Sequence, residues 1–324
     1  MPINRRRLLG ASLTAIPFTS FPAWAQSWPA RPVTLVSPYG AGGSSDLLTR
    51  ILGESLAGRM GQSFVVENRS GAGTRIANEY VARAAPDGYT VLHAAAPIAI
   101  GEALYPKLPY NTKKDFAPVL STAIAPLFLI VNAEAPYKTL AEFVAYGKST
   151  PNGLTFGSPG SGSAPHLTAE LLLRAAGTNG VVIQYRGDAP AYTELLAGRI
   201  DATLTAISTA LPHIQAGRLR VLGVANEERT PLYPQAPTLR ESGLPSVVGY
   251  GWYGLMLPAS TPAAIVRRLN TEANAALSDP AIRKRVEALG LQVRGGSPAG
   301  FAAFIEAETK KWAQVIQAAN IKPE

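Results

Sequence analysis

The sequence predicts an α/β protein built from two successive units, and three observations carry that reading. Short β-branched runs alternate with longer amphipathic stretches, in the strand–helix–strand order that gives a largely parallel sheet with helices on both faces. The same order restarts after residue 150. Each series opens the same way, on a strand that runs through a glycine-rich loop into a helix. At 324 residues, 47% of them hydrophobic, the chain can bury two cores.

In the first unit "PVTLVSPY" reads as a strand, followed by a helix on which Leu47, Leu48, Ile51, Leu52 and Leu56 recur at helical spacing. "QSFVVENR" is a second strand, "SGAGT" a turn, "RIANEYVARA" a helix and, after the turn at Pro86-Asp87-Gly88, "YTVLHAA" a third strand. "FAPVLSTAIAPLFLIVN" links the units. The second series runs "GLTFGS" (strand), "APHLTAELLLRAAG" (helix), "GVVIQY" (strand), "YTELLAG" (helix), "IDATLT" (strand), "ALPHIQAG" (short helix) and "LRVLGVA" (strand). The remainder is mostly helical. Thr261-Pro262 and Ser297-Pro298 each set a capping hydroxyl before a first-turn proline, and Thr139 to Glu142 forms a capping box.

The opening loop, "SPYGAGGSSDLLTR" (37 to 50), has the build of an anion site. A phosphate loop of the Walker type needs Lys and then Ser or Thr at the helix start, and here Ser44, Ser45 and Asp46 stand there. Gly40 to Ser45 also lacks the last glycine of a dinucleotide fingerprint. A smaller anion fits better. The loop has a partner in "GSPGSGSAPHLTAELL" (157 to 172), where Ser158, Ser161 and Ser163 add hydroxyl donors. Helix N-termini present unpaired N–H groups and a partial positive charge, so two of them facing one another suit one anion held across a cleft. Asp46 at a helix start reads first as a cap.

Other classes of function lack their residues. Arg5-Arg6-Arg7, an apolar stretch and Ala23-Trp24-Ala25 predict a secretory signal over residues 1–25, also compatible with twin-arginine export, with a mature chain from Gln26. The remaining 27 Lys and Arg against 22 Asp and Glu form no basic run, so neither nucleic acid nor membrane insertion is expected. The chain has no cysteine. No serine sits in G-x-S-x-G, and His93, His166 and His213 show no ligand spacing, so the reading assigns no catalytic residue, metal or cofactor. An exported hydrolase is the rival class.

Nine segments in order, "WPARPVTLVSPYGAGGSSD", "VVENRSGAGT", "AAPDGYTVL", "ALYPKLPYNTKKDFAPV", "FGSPGSGSAPHL", "QYRGDAPAYTELLAGRID", "ALPHIQAGRLRVLGVA", "APTLRESGLP" and "WYGLMLPASTP", give the chain a resemblance to the substrate-binding proteins of tripartite tricarboxylate transporters, the TctC or Bug family of the proteobacterial periplasm. The resemblance implies a type II periplasmic-binding-protein fold, two α/β domains with a ligand cleft between them: residues 26–125 and 250–324 in domain I, 126–249 in domain II. It implies a periplasmic monomer that closes on a small organic carboxylate, aromatic or aliphatic, for a membrane permease, or alternatively reports to a sensor kinase. Carried over by position, the contacts would be Tyr39, Ala41, Gly42, Gly43 and Asp46 in the first domain and Ser158, Ser161, Gly162, Ser163 and His166 in the second. The chain departs from the family at Thr74-Arg75, where small residues are usual. Arg75 is therefore a further candidate, for a second carboxylate or an aromatic ring. Tyr250, Trp252 and Tyr253 are candidates for either the cleft wall or packing at the hinge.

Overall fold

The computed structural model describes residues 28–185 and 188–322, without the side chains of residues 188, 189 and 209. The signal sequence expected over residues 1–25 lies outside the described residues. The chain begins with β1 (Val33–Ser37), α1 (Ser44–Met60), β2 (Phe64–Asn68), a 3₁₀ turn over Ala72–Thr74, α2 (Arg75–Ala82), β3 (Thr90–Ala95) and α3 (Pro97–Leu104). It continues through β4 (Phe116–Pro126), β5 (Phe128–Asn132), α4 (Leu140–Ser149), β6 (Leu154–Ser158), α5 (Ala164–Ala176), β7 (Gly180–Gln184), α6 (Asp188–Leu196), β8 (Ala202–Thr205), α7 (Ile207–Gln215) and β9 (Leu219–Val224). It ends with β10 (Tyr250–Pro258), α8 (Ala263–Ser278), α9 (Pro280–Ala288), β11 (Gln292–Gly295) and α10 (Pro298–Ala319).

The strands form two sheets, each the centre of a lobe: β11-β4-β10-β3-β1-β2 and β7-β6-β8-β5-β9. β1 pairs parallel with β2 and β3, and β6 with β7 and β8, as the strand–helix–strand order predicts. The sheets are nevertheless mixed rather than largely parallel. β10 is antiparallel to β3 and β4, β11 to β4, and β5 to β8 and β9. The reason lies in the two crossings between lobes. A strand in a strand–helix unit ends at the cleft, whereas β5 and β10 enter their lobes from the other lobe and start there, so they run the opposite way. The segment read as a link is accordingly two strands, β4 in one sheet and β5 in the other, with Leu127 at the bend.

Both faces of each sheet are buried, so adjacent residues on one strand serve different cores. Leu35, Val91 and Leu255 join Leu48, Leu52 and Leu269 on the α1 and α8 side. Val36, Leu92 and Met256 join Ile98, Trp252 and Trp312 on the side of α3 and α10. Trp252 is fully buried, edge-on to Phe301 and Phe304, and belongs to this core rather than to a cleft wall. In the second lobe Leu129, Val131 and Phe156 pack with Leu172, while Phe128 and Ile130 pack with Leu195 on the opposite face.

Ser297 caps α10 as its position predicts, its Oγ accepting the Gly300 N–H at 3.0 Å. Thr139 accepts the Glu142 N–H at 3.2 Å, and the Glu142 carboxylate accepts the Lys138 N–H at 2.6 Å, one residue before the usual return of a capping box. Thr261 does not cap. Its hydroxyl donates back to Pro258 O at 2.7 Å, and Pro262 takes the cap position of α8.

Below the first glycine loop a buried His93 ties three elements together. Its Nδ1 lies 2.6 Å from Thr49 Oγ1 and its Nε2 lies 3.1 Å from Thr122 Oγ1. Thr49 spends its own proton on Ser45 O at 2.7 Å, so the ring donates from Nδ1 and accepts from Thr122 at Nε2. Burial lowers the His93 pKa to about 3. The native state therefore stays unprotonated where the unfolded chain, with a pKa of 6.5, takes up a proton. Stability from this group is complete above pH 6.5 and falls by about 1.4 kcal/mol per pH unit below it, until about pH 3. Urea unfolding at pH 7 and pH 5 should show a smaller pH dependence for His93→Gln than for the wild type; equal dependence would contradict a neutral buried ring.

Candidate ligand-binding cleft

The two glycine loops are built alike. Each follows a strand ending in serine, Ser37 or Ser158, and each reaches its helix through a glycine with positive φ, Gly42 at +88° and Gly162 at +69°. The next residue caps the helix in the same extended conformation, Gly43 with φ −78° and ψ 165°, Ser163 with φ −74° and ψ 158°. The side chain four residues beyond the glycine then turns back to hold its N–H. Asp46 Oδ2 accepts Gly42 N–H at 2.9 Å, and His166 Nδ1 accepts Gly162 N–H at 3.0 Å.

These braces are charged in one lobe and neutral in the other. Asp46 is 1% exposed. Its Oδ2 also accepts from Arg50 Nε at 3.0 Å and its Oδ1 from Asn68 Nδ2 at 2.8 Å. Burial alone raises the Asp46 pKa, but the hydrogen bonds from Arg50, Gly42 and Asn68 outweigh it and bring the value down to about 2. His166 accepts at Nδ1, so its proton sits on Nε2, 3.9 Å from Glu170 Oε1; burial lowers its pKa.

The loops also differ in the donors they leave open. Ser163 Oγ donates to Gly160 O at 2.7 Å, accepts the His166 N–H at 3.3 Å and lies 3.2 Å from Ser158 Oγ, so these serines secure the second loop from within. α1 starts at Gly43 without a side-chain cap, leaving first-turn N–H groups for an outside acceptor.

A hollow of about 180 Å³ lies between the lobes. Tyr39, in the loop before α1, and residues 159–163, before α5, line it. Pro97, Ile100, Gly101 and Leu104 of α3 form a largely apolar wall, and Gly73, Thr74 and Tyr105 complete it. Thr74 is the N-cap of α2, Pro97 the first residue of α3 and Ser163 the N-cap of α5. The positive ends of several helices thus converge on a small space, which favours an anion there. A larger hollow of about 340 Å³ lies against α10 and is walled by Phe116, Met256 and Ile305, away from both glycine loops.

The lobes touch at the hollow. A Cβ built on Gly162 would stand 2.4 Å from Leu104 Cδ2 of the facing lobe. Beside the hollow, Ala72, Gly73 and Thr74 have φ of 47°, 61° and 75°, a left-handed run that costs about 1–2 kcal/mol per non-glycine residue. Arg75 follows it, half-buried, its Nε donating to Ala72 O at 2.8 Å and its guanidinium 4.0 Å from the centroid of the Tyr105 ring.

Of the residues singled out in the sequence, Tyr39, Ser161, Gly162 and Ser163 line the hollow. Ala41, Gly42 and Gly43 are exposed on the first loop outside its walls. Asp46, Ser158 and His166 sit beneath the loops and support them, and Arg75, outside the lining, packs against the Tyr105 ring. Tyr39 is 37% exposed; burial raises the pKa of its phenol, and Tyr253 adds to the rise. Tyr253 in turn stacks on His93 at 5.6 Å. The α3 wall and Thr74 were missed from the sequence. Pro97, directly after the third strand, is the first-turn proline that marks this further strand–helix junction.

Residues 48–321 match the model of the tripartite tricarboxylate transporter family receptor, TctC. A UPF0065 protein of the tcbD-tcbE intergenic region of Pseudomonas sp. (strain P51) is 34% identical over 316 residues, 97% of this chain and 94% of that one. Among solved structures, R. palustris Rpa4515 with adipate is 34% identical with a TM-score of 0.81, covering 92% of this chain and 100% of that one. MatC (Rpa3494) from Rhodopseudomonas palustris with bound malate is 33% identical with a TM-score of 0.76, covering 89% and 100%. The two-lobed arrangement is the type II periplasmic-binding-protein fold expected from the sequence.

Proposed function

The chain belongs to the tripartite tricarboxylate transporter family of receptors, and from that premise we propose that it captures a small aliphatic carboxylate between its lobes and delivers it to a membrane permease. The observation that carries this reading is the pair of like-built glycine loops beside one inter-lobe hollow, on which helix N-termini converge. At about 180 Å³ the hollow lies below the ~300–1,000 Å³ of drug-sized sites, which suits a metabolite of a few carbons. Its donors suit a carboxylate, and Ile100 and Leu104 suit an alkyl chain. Adipate and malate in the related proteins have this chemistry. Closure follows because both loops contact the same anion, so the ligand binds the closed state better than the open one.

A thermal-shift series on residues 26–324 with adipate, malate, citrate, benzoate and hexanoate tests the reading. A ligand at a hundred times its Kd adds about 2.7 kcal/mol to stability. For a chain of this size the melting point should rise by roughly a few degrees. The aliphatic acids should give the larger shifts. A protein whose melting point none of these acids moves, and whose native mass shows no retained ligand, would contradict the proposal.

A further inference from the structure

The hollow of about 340 Å³ against α10 is separated from the cleft by α3. Glu102 lines it, whereas Pro97, Ile100, Gly101 and Leu104 line the inter-lobe hollow, and at about 100° of turn per residue these fall on opposite faces of the helix. The floor is apolar: Phe116 on β4, Met256 on β10 and Ile305 on α10 all belong to the core on the α3 and α10 side. Its size reaches the ~300–1,000 Å³ of small-molecule sites, which the inter-lobe hollow does not. The polar groups around it are mostly spent within the fold. Glu102 Oε1 accepts the Thr112 N–H at 2.8 Å, Thr112 Oγ1 donates to Ile98 O at 3.1 Å, and Thr309 Oγ1 donates to Ile305 O at 2.9 Å. Lys113 Nζ lies 3.8 Å from Glu306 Oε1. Lys310, exposed and one turn beyond Glu306, also lines the hollow, and among the described residues no carboxylate pairs with it.

We propose that this hollow is a second binding site, for an apolar molecule of medium length with a single anionic head group: the body lies on Phe116, Met256 and Ile305, and the head pairs with Lys310. The site is separate from the cleft and does not rest on the carboxylate reading above. Burial of the apolar body supplies most of the affinity, because an ion pair at an exposed lysine is worth little. The head group selects among occupants of the same shape; the floor holds them.

The test is an NMR titration of residues 26–324 with octanoate, after isotopic labelling of the methionine methyl groups. Met60 and Met256 are the only methionines in that span. Met256 lines the hollow, whereas Met60 packs against the core on the opposite face of the sheet, so octanoate should move the Met256 signal and leave that of Met60 in place. Ala302, exposed on α10, also lines the hollow, and Ala302→Trp should fill the space and abolish the movement. Lys310→Ala, a change at an exposed position that leaves the core intact, should weaken octanoate about fivefold and leave octanol, which has the same body without the charge, unaffected. A Met256 signal that octanoate does not move, or moves equally in Ala302→Trp, would overturn the site. Equal losses for octanoate and octanol in Lys310→Ala, or no loss for octanoate, would overturn the assignment of the head group.

Discussion

Gly162→Val should abolish high-affinity carboxylate binding while both lobes stay folded. The valine Cβ would stand 2.4 Å from Leu104 Cδ2, and a φ of +69° strains any side chain there. Overpacking of a well-fitted contact and the left-handed backbone together cost about 2–5 kcal/mol. The steric part acts only when the lobes meet, so it opposes closure and lowers affinity by roughly a hundredfold. Leu104 is the flexible end of a side chain, which makes Leu104→Ala in the Gly162→Val background a rescue: part of the affinity should return. Titration of the two proteins decides the matter. Normal binding by Gly162→Val would mean that the lobes need not approach in this region.

Asp46→Ala should cost stability and binding together. It removes the acceptor shared by Gly42 N–H, Asn68 Nδ2 and Arg50 Nε, leaving Asn68 its bond to Tyr39 O and Arg50 its bond to Asn68 Oδ1. Loss of such charge-assisted bonds in a buried place destabilises by about 2–3 kcal/mol. The acid limb offers an independent check. The native pKa of about 2 lies below the ordinary 3.8, so the native state binds fewer protons than the unfolded chain between these values. The stabilisation is present above about pH 4 and is lost as the pH falls through 2, a total of about 2 kcal/mol. Urea unfolding at pH 7 and pH 3 should show the wild type losing more stability than Asp46→Ala. Equal losses would place the carboxylate outside the bracing network.

The parts of the site legible in the sequence are those set by local rules. Glycine and serine beside a helix start mark both loops, and a carboxylate in the first turn marks Asp46 as a cap, the bond it makes to Gly42. His166 fills the matching place in the second loop, a role invisible by residue type because imidazole is an uncommon brace. What stayed hidden depends on pairings far apart in the chain. Nothing in "YGWYGLMLP" states that β10 inserts between β3 and β4, and that insertion buries Trp252. The apolar wall was hidden for a similar reason. Ile100 and Leu104 lie on α3, a helix not assigned from the sequence, and the approach of the other lobe at Gly162 is what sets them beside the hollow. Thr261 carries a capping signature, yet its hydroxyl finds the nearer acceptor at Pro258 O.

Closure on a carboxylate is the central claim, and the sheet order shows where to measure it. β2 and β7 are the edge strands farthest from the strands that cross between lobes, so closure moves them most. Val65 on β2 and Val181 on β7 are 54% and 53% exposed, and the absence of native cysteine allows both to be replaced by cysteine and spin-labelled without competing sites. The distance distribution between the labels should shorten and narrow when adipate or another binding carboxylate is added, and Gly162→Val should keep the long distance at the same ligand concentration. A distance unchanged by a carboxylate that calorimetry shows to be bound would contradict capture by closure.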